Sequence, residues 1–240
     1  YCSTESLNKA QKKIVDHKNG PALVIAGAGS GKTRVITHRV AHLIHSGIPA
    51  SSILLLTFTN KAADEMTQRV GKAINNTTDQ NKIIHGTFHS VGNRFLRQHA
   101  KLLGYKNNFS ILDTSDSKDM IKAAIAETMG KPGKFFPKAA VLQNLFSLAF
   151  NRNGTQKMIL ELPYHKRNLQ LDQLIYSDYS HFEEYLETMI KVLATYRKKK
   201  RRGQVMDFDD LLENWLELLV VHGEDLPLCR QINHILVDEY

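Results

Sequence analysis

The sequence predicts an α/β protein: a parallel sheet covered by helices on both faces, interrupted by an inserted, wholly helical segment. Three observations carry this. Short apolar runs alternate with amphipathic stretches over the first third of the chain, the pattern of successive strand–helix–strand units. From about residue 114 to residue 202 the apolar spacing is almost wholly helical. The chain then returns to a buried-strand pattern, HILV at residues 234–237. A strand in that place leaves backbone groups unpaired unless it slots into the existing sheet. The expected core is therefore discontinuous, residues 1–110 with 204–240, and residues 111–203 form the inserted helical subdomain.

In chain order, ALVIA (residues 22–26) reads as a buried strand, ILLLTF (53–58) as a second and KIIHGTF (82–88) as a third. Helical spacing fills the gaps at residues 32–45 and 61–74, and resumes at 91–103. Within the insertion, residues 116–129, 138–151 and 181–202 are helical candidates, punctuated by Pro132, Gly133, Pro137 and the pair Asn153–Gly154, which act as breakers. Residues 207–221 read as an amphipathic helix before the terminal strand.

The most specific local feature is AGAGSGKT, running from Ala26 to Thr33. It follows an apolar strand signal and opens a helix, the context in which such a loop cradles phosphates. Gly27, Gly29 and Gly31 let backbone N–H groups turn inward, and the helix N-terminus adds a positive dipole end. Lys32 would reach the β- and γ-phosphates, and the Thr33 hydroxyl would ligate Mg²⁺. Alanine at position 26, where a glycine is usual, is tolerated while φ stays negative. Many kinds of NTPase share such a loop, so the loop alone does not name the reaction.

Composition narrows the field. Hydrophobic residues make up 42% and charged residues 23% of 240, which places the chain among ordinary globular proteins. No apolar run approaches the roughly 18 residues of a membrane span. Residues 1–5 show no signal peptide, and a start at Tyr1 rather than methionine points to a trimmed or engineered beginning. Two cysteines, Cys2 and Cys229, lack metal-site spacing, so a reducing compartment is the expectation. A formal charge of +8 suits a polyanionic partner.

Further motifs surround the loop. LNKAQ places Gln11 just before it, and a glutamine amide can donate and accept at once. LLLTFTNKAADEM delivers Phe58, Thr59, Asn60 and Lys61 to a strand's C-terminal end, where open α/β sheets bind ligands. Phe58 offers a stacking face to a base or, alternatively, core packing. GTFHS places Thr87 and His89 at the end of the next strand, His89 being either structural or a nucleic-acid contact. DFDDLL (207–212) suits a capped helix start with Leu211 and Leu212 packing inward. ILVDEY ends a hydrophobic strand in Asp238 and Glu239. YRKKKRRG (196–203) is a basic run, either a solvated face or a contact with duplex DNA.

Taken together, LNKAQ, AGAGSGKT, TFTNKAADEM, GTFHS, FSILDTSDS (109–117), DFDDLL and ILVDEY resemble superfamily 1 DNA helicases of the UvrD/Rep/PcrA type. The likeness runs through essentially the whole chain, more loosely in the insertion, and DFDDLL with the short N-terminus points to the Rep-like members. It implies a P-loop NTPase core with a RecA-like parallel sheet. By resemblance, Gln11 reads adenine, and Ala26, Gly27, Ala28, Gly29, Ser30, Gly31, Lys32, Thr33 and Arg34 bind ATP. Thr33 and Asp238 hold Mg²⁺, and Glu239 activates the attacking water. Phe58, Thr59, Asn60, Lys61, Thr87 and His89 contact DNA.

The implied activity is ATP-driven 3′-to-5′ movement on single-stranded DNA, with junctions between single and double strands as substrate. The implied location is the bacterial cytoplasm at the nucleoid, with no membrane association. The family continues ILVDEY with Gln-Asp and a second RecA-like domain, so residues 1–240 alone are expected to bind ATP weakly and to hydrolyse it slowly or not at all. Two other readings stay open: a helicase–nuclease subunit of the RecB/AddA kind, and an ATP-gated DNA-binding module that does not translocate.

Overall fold

The computed structural model describes residues 7–18, 20–75, 77–153 and 170–239; residues 1–5 and Gly154 and Tyr240, named above, lie outside them. In chain order the elements are α1 (Lys9–Val15), α2 (Lys32–His45), β1 (Ile53–Thr57), α3 (Asn60–Ile74), α4 (Thr77–Gln80), β2 (Ile84–Thr87) and α5 (Phe88–His99). Then follow β3 (Ser110–Ile111), α6 (Thr114–Met129), α7 (Ala139–Asn153), α8 (Leu171–Asp178), α9 (Leu186–Gly203), β4 (Val205–Met206), α10 (Phe208–His222), α11 (Pro227–Gln231) and β5 (His234–Val237). The chain divides into two compact units, residues 1–91 with 224–240, and residues 92–223.

The first unit is built on a three-stranded sheet in the order β2-β1-β5. Both pairings are parallel, Leu54 opposite Ile84 on one side and Ile235 on the other. All five residues of β1 are buried, which a parallel strand with cover on both faces requires. Ile53 and Leu55 pack with Val40, Ala41 and Leu43 of α2 and with Met66, Val70 and Ile74 of α3. Thr59 starts α3 by accepting from the Ala62 N–H at 3.1 Å. Asn75, in the left-handed region at φ 52°, ends it; asparagine is among the few non-glycine residues that adopt this conformation readily.

The terminal HILV run does join the sheet, as β5 beside β1. The expected strand at residues 22–26 does not form: these residues have no regular structure, and Leu23 and Ile25 are 73% and 91% exposed. An apolar run states that both faces need cover. It does not state which neighbour supplies the hydrogen-bond ladder, and among the described residues the sheet is made of β2, β1 and β5.

The second unit is mainly helical. Ile121, Ala124 and Ile125 of α6 pack with Leu142, Leu145 and Phe146 of α7, with Leu171, Leu174 and Ile175 of α8, and with Met189, Val192 and Leu193 of α9. Asp113 caps α6 by accepting from the Asp116 N–H at 2.8 Å. The two-residue strands β3 and β4 pair in parallel, Ser110 opposite Val205, and so join the two ends of the 112–204 stretch. Among the described residues no helix is long and apolar enough to cross a membrane.

Candidate nucleotide and nucleic-acid site

The AGAGSGKT loop closes on itself through short polar contacts. Gly29 and Gly31 have φ of 74° and 84°, conformations that side chains with a Cβ adopt only under strain. Ala26 is not among the residues of positive φ, which is why alanine serves at that position. The Ser30 N–H donates to the Gly27 carbonyl at 3.3 Å, and α2 begins with the Val35 N–H donating to the Gly31 carbonyl at 3.0 Å. Lys32 Nζ lies inside this loop, donating to the carbonyls of Ala26 at 2.9 Å and Gly27 at 3.0 Å. Both acceptors are neutral, so an anionic phosphate oxygen would be the stronger partner for the ammonium.

Two motifs far apart in sequence meet here. The Thr33 hydroxyl donates to Asp238 Oδ2 at 3.1 Å, across 205 positions. Asp238 leaves the end of β5 with its N–H bonded to the Leu56 carbonyl at 2.9 Å, so the sheet itself aims this carboxylate at the start of α2. A hydroxyl and a carboxylate side by side are hard oxygen donors of the kind Mg²⁺ takes, in a small number, alongside phosphate oxygens. Glu239 follows, exposed and at φ 59°, with its N–H donating to Asp238 Oδ1 at 3.1 Å. Ala28, Ser30 and Arg34 are exposed. Arg34 and burial together lower the His38 pKa, burial being the larger cause.

Gln11 reaches the loop as well. Asn8 caps α1 and exchanges hydrogen bonds with Gln11 in a capping box. The Gln11 amide nitrogen then donates to the Ser30 carbonyl at 3.0 Å.

The second group of predicted residues lies along the C-terminal edge of the same sheet. Thr57 of β1 stands opposite Thr87 of β2, so the residues that follow each strand are neighbours. Phe58 is 78% exposed, which removes the core-packing alternative. Thr59, Asn60 and Lys61 are exposed beside it. Thr87 spends its hydroxyl locally, accepting from the Ser90 N–H at 3.1 Å, while Ser90 Oγ accepts from the Thr87 N–H at 2.8 Å. This reciprocal cap opens α5 and holds His89, half-buried, at the turn. Ser90 escaped the sequence reading, though Thr-x-x-Ser after a strand is a usable capping signal.

The basic run resolves into a structural device. Arg197 and Lys200 are buried on α9. Arg197 makes a two-pronged pair with Glu213 at 3.2 and 2.9 Å, and Lys200 lies 2.6 Å from both Asp207 and Asp210. Tyr196 donates its hydroxyl to Asp207 at 2.7 Å. Arg201 donates to the Leu103 carbonyl and stacks over the Tyr105 ring at 4.1 Å, and Lys199 pairs with Glu127 at 2.6 Å. Lys198 and Arg202 are the exposed cations of the run. The run and DFDDLL are thus two halves of one cluster: Asp207 caps α10 in a capping box with Asp210, and the same two carboxylates neutralise Lys200. Burial alone would lower the Lys200 pKa, but the two aspartates overcome this and raise it.

The chain matches the family described as UvrD/REP helicase N-terminal domain over residues 7–240. It is 36% identical over 236 residues to the ATP-dependent DNA helicase PcrA of Bacillus subtilis (strain 168), covering 98% of this chain and 29% of that protein. The ATP-dependent DNA helicase UvrD1 of Mycobacterium leprae (strain TN) is 33% identical over 239 residues, covering 98% of this chain and 28% of that protein. The PcrA of Leuconostoc citreum is 32% identical over 239 residues, at 99% and 29%. The chain thus spans less than a third of the length of these relatives. With a glycine-rich loop whose Thr33 hydroxyl meets the Asp238 carboxylate at 3.1 Å, the chain belongs to the UvrD/Rep helicase N-terminal domain family.

Proposed function

We propose that this chain is the ATP-binding portion of an ATP-dependent DNA helicase that moves 3′ to 5′ on single-stranded DNA. The observation that carries the reading is the Thr33–Asp238 contact at 3.1 Å. It unites the two motifs that an ATP hydrolase needs, one to grip phosphates and one to end a strand in acid. The relatives' names as ATP-dependent DNA helicases support the same reading.

In this reading residues 1–110 and 204–240 make up a RecA-like core carrying the inserted subdomain 111–203. Lys32 leaves the Ala26 and Gly27 carbonyls and binds the terminal phosphates. Thr33 and Asp238 hold Mg²⁺, which when bound neutralises phosphate charge. Glu239 accepts a proton from the attacking water. Gln11 reads the adenine. Phe58 stacks on a base while Thr59, Asn60, Lys61, Thr87 and His89 meet the strand's backbone, because phosphate contacts position and an exposed ring tolerates any base. The +8 charge favours the polyanion at long range.

Charge developing on the transferred phosphoryl group is stabilised in related NTPases by arginines worth about 10³–10⁵ in rate. In this reading those arginines come from a second domain, so residues 1–240 alone bind ATP weakly and hydrolyse it slowly or not at all. The test is unwinding of a duplex with a 3′ single-stranded tail by the intact protein, with Lys32→Ala as control. Unwinding that needs a 5′ tail, or that survives Lys32→Ala, refutes the proposal, as does rapid DNA-stimulated hydrolysis by residues 1–240.

A further inference from the structure

The carboxamide of Gln11 does two things at once. Its oxygen accepts from the Asn8 N–H at 3.0 Å, and its nitrogen donates to the Ser30 carbonyl at 3.0 Å. The first bond fixes the amide's orientation, so the nitrogen is the group presented to the loop. Ser30 is the residue immediately before Gly31, the N-cap of α2. The bond thus grips the loop at the point where its backbone turns into the phosphate-facing helix end.

The platform behind Gln11 is firm. Leu7 and Val15 pack against Val35 of α2, with Ile14 beside them, and Arg39 donates to the Val15 carbonyl at 2.6 Å. Helix α1 is therefore tied to α2 on one side and to the loop preceding α2 on the other. The approach is also close: a Cβ at Gly31 would lie 3.3 Å from the Gln11 nitrogen. Position 31 needs glycine for its φ of 84°, and its bareness also admits the Gln11 amide.

We infer that Gln11 is a positioning residue for the phosphate loop, holding Ser30 so that the loop is preorganised for a polyphosphate whether or not a base is attached. This rests on the reading of the loop as an ATP site, and it adds to base recognition a task that no base is needed to reveal. Loop residues that must converge on an anion lose freedom when they bind it, and a fixed loop has lost that freedom beforehand.

The probe is inorganic tripolyphosphate with Mg²⁺, which has no base to read. Its binding and that of ATP to residues 1–240 are compared by calorimetry for the unsubstituted chain, Gln11→Ala, Gln11→Met and Asn8→Ala. Both Gln11 variants are expected to weaken tripolyphosphate about three- to tenfold, the worth of one hydrogen bond. Asn8→Ala, which weakens the helix cap but leaves the Gln11 donor, should weaken it less. Unchanged tripolyphosphate binding with weakened ATP binding confines Gln11 to the base and overturns the inference. An Asn8→Ala loss equal to that of Gln11→Ala assigns the effect to the helix start and also overturns it. If the unsubstituted chain binds neither ligand, the ATP-site reading itself fails and takes the inference with it.

Discussion

In the first unit Lys32 rests its ammonium on two backbone carbonyls, those of Ala26 and Gly27, at 2.9 and 3.0 Å. In the second unit Lys200 sits 2.6 Å from two carboxylates, Asp207 and Asp210, with 4% of its side chain exposed. One lysine is held by neutral acceptors in a half-open loop, the other by full charges inside a helical core. The difference sorts the chain's basic residues by use. In the proposed ATP site, a cation that passes to a phosphate is kept on partners it can leave. A cation that pins two helices together is kept on partners it cannot leave without stranding buried charge. The lesson extends to Arg197 and Glu213, whose paired side chains are almost wholly buried, at 3% and 2% exposed.

The strongest way to break this comparison is to remove the buried lysine. Lys200→Ala leaves Asp207 and Asp210 facing each other in a dry setting. Breaking a buried pair by removing one partner costs about 3–5 kcal/mol, much of a typical domain's stability. Urea unfolding followed by circular dichroism should show the loss. A change under about 1 kcal/mol would show that water reaches the cluster and that its charges are not locked.

Lys32→Ala makes the opposite test. Its carbonyl partners can turn to water, so the unfolding midpoint should stay where it is. ATP binding should fall by about 1.5–3 kcal/mol, the range for a hydrogen bond to a charged group, or roughly ten- to a hundredfold. A variant that binds ATP normally, or that loses stability as Lys200→Ala does, would erase the distinction between the two lysines.

Acid sharpens the contrast next. Burial would raise the Asp207 pKa, but Lys200 and its hydrogen bond hold it at about 2, below the ordinary 3.8. A carboxylate depressed in the native state contributes stability that is complete above the unfolded pKa and is lost as pH falls through the native one. The window is therefore from about pH 4 down to about 2, and the amount is about 2 kcal/mol. Between pH 6 and pH 2.5, the unfolding free energy of Asp207→Asn should fall less than that of the unsubstituted chain by about that amount. Parallel curves for the two proteins would mean that Asp207 does not titrate with folding.

Some of this is legible in the sequence. AGAGSGKT carries its geometry in its letters, since Gly29 and Gly31 are where φ is positive, and β5 lies on the four residues that read as a buried strand. Helix α2 spans the expected residues 32–45. Residues 22–26 misled because hydrophobicity reports a demand for cover and is silent on pairing. The basic run misled for a related reason. Charge patterning assumes that charged side chains face water, and a run of cations gives no sign that Asp207, Asp210 and Glu213, several residues later, are folded back on to it. Helical spacing does hold the missing hint: Arg197 and Lys200 are three apart, on the face that also carries Leu193 and Tyr196. The Gln11–Ser30 bond was beyond reach, because it depends on how α1 is docked.

The smallest effect tests what the run has left to offer. Lys198 and Arg202 are its exposed cations, so replacing both with serine should leave stability within about 0.5 kcal/mol, as for ordinary surface substitutions. Serine across the whole run from residue 198 to 202 would instead take Lys200 out of its cluster and unfold the unit, so that experiment cannot speak about DNA. The double variant can. Each phosphate contact contributes about 0.9 to the slope of log affinity against log salt on duplex DNA, so two exposed cations can lower that slope by at most about two. A fall of one to two with an unchanged melting temperature assigns this end of α9 to the duplex. An unchanged slope leaves the run as the cationic half of a buried cluster, with Lys198 and Arg202 as a solvated face.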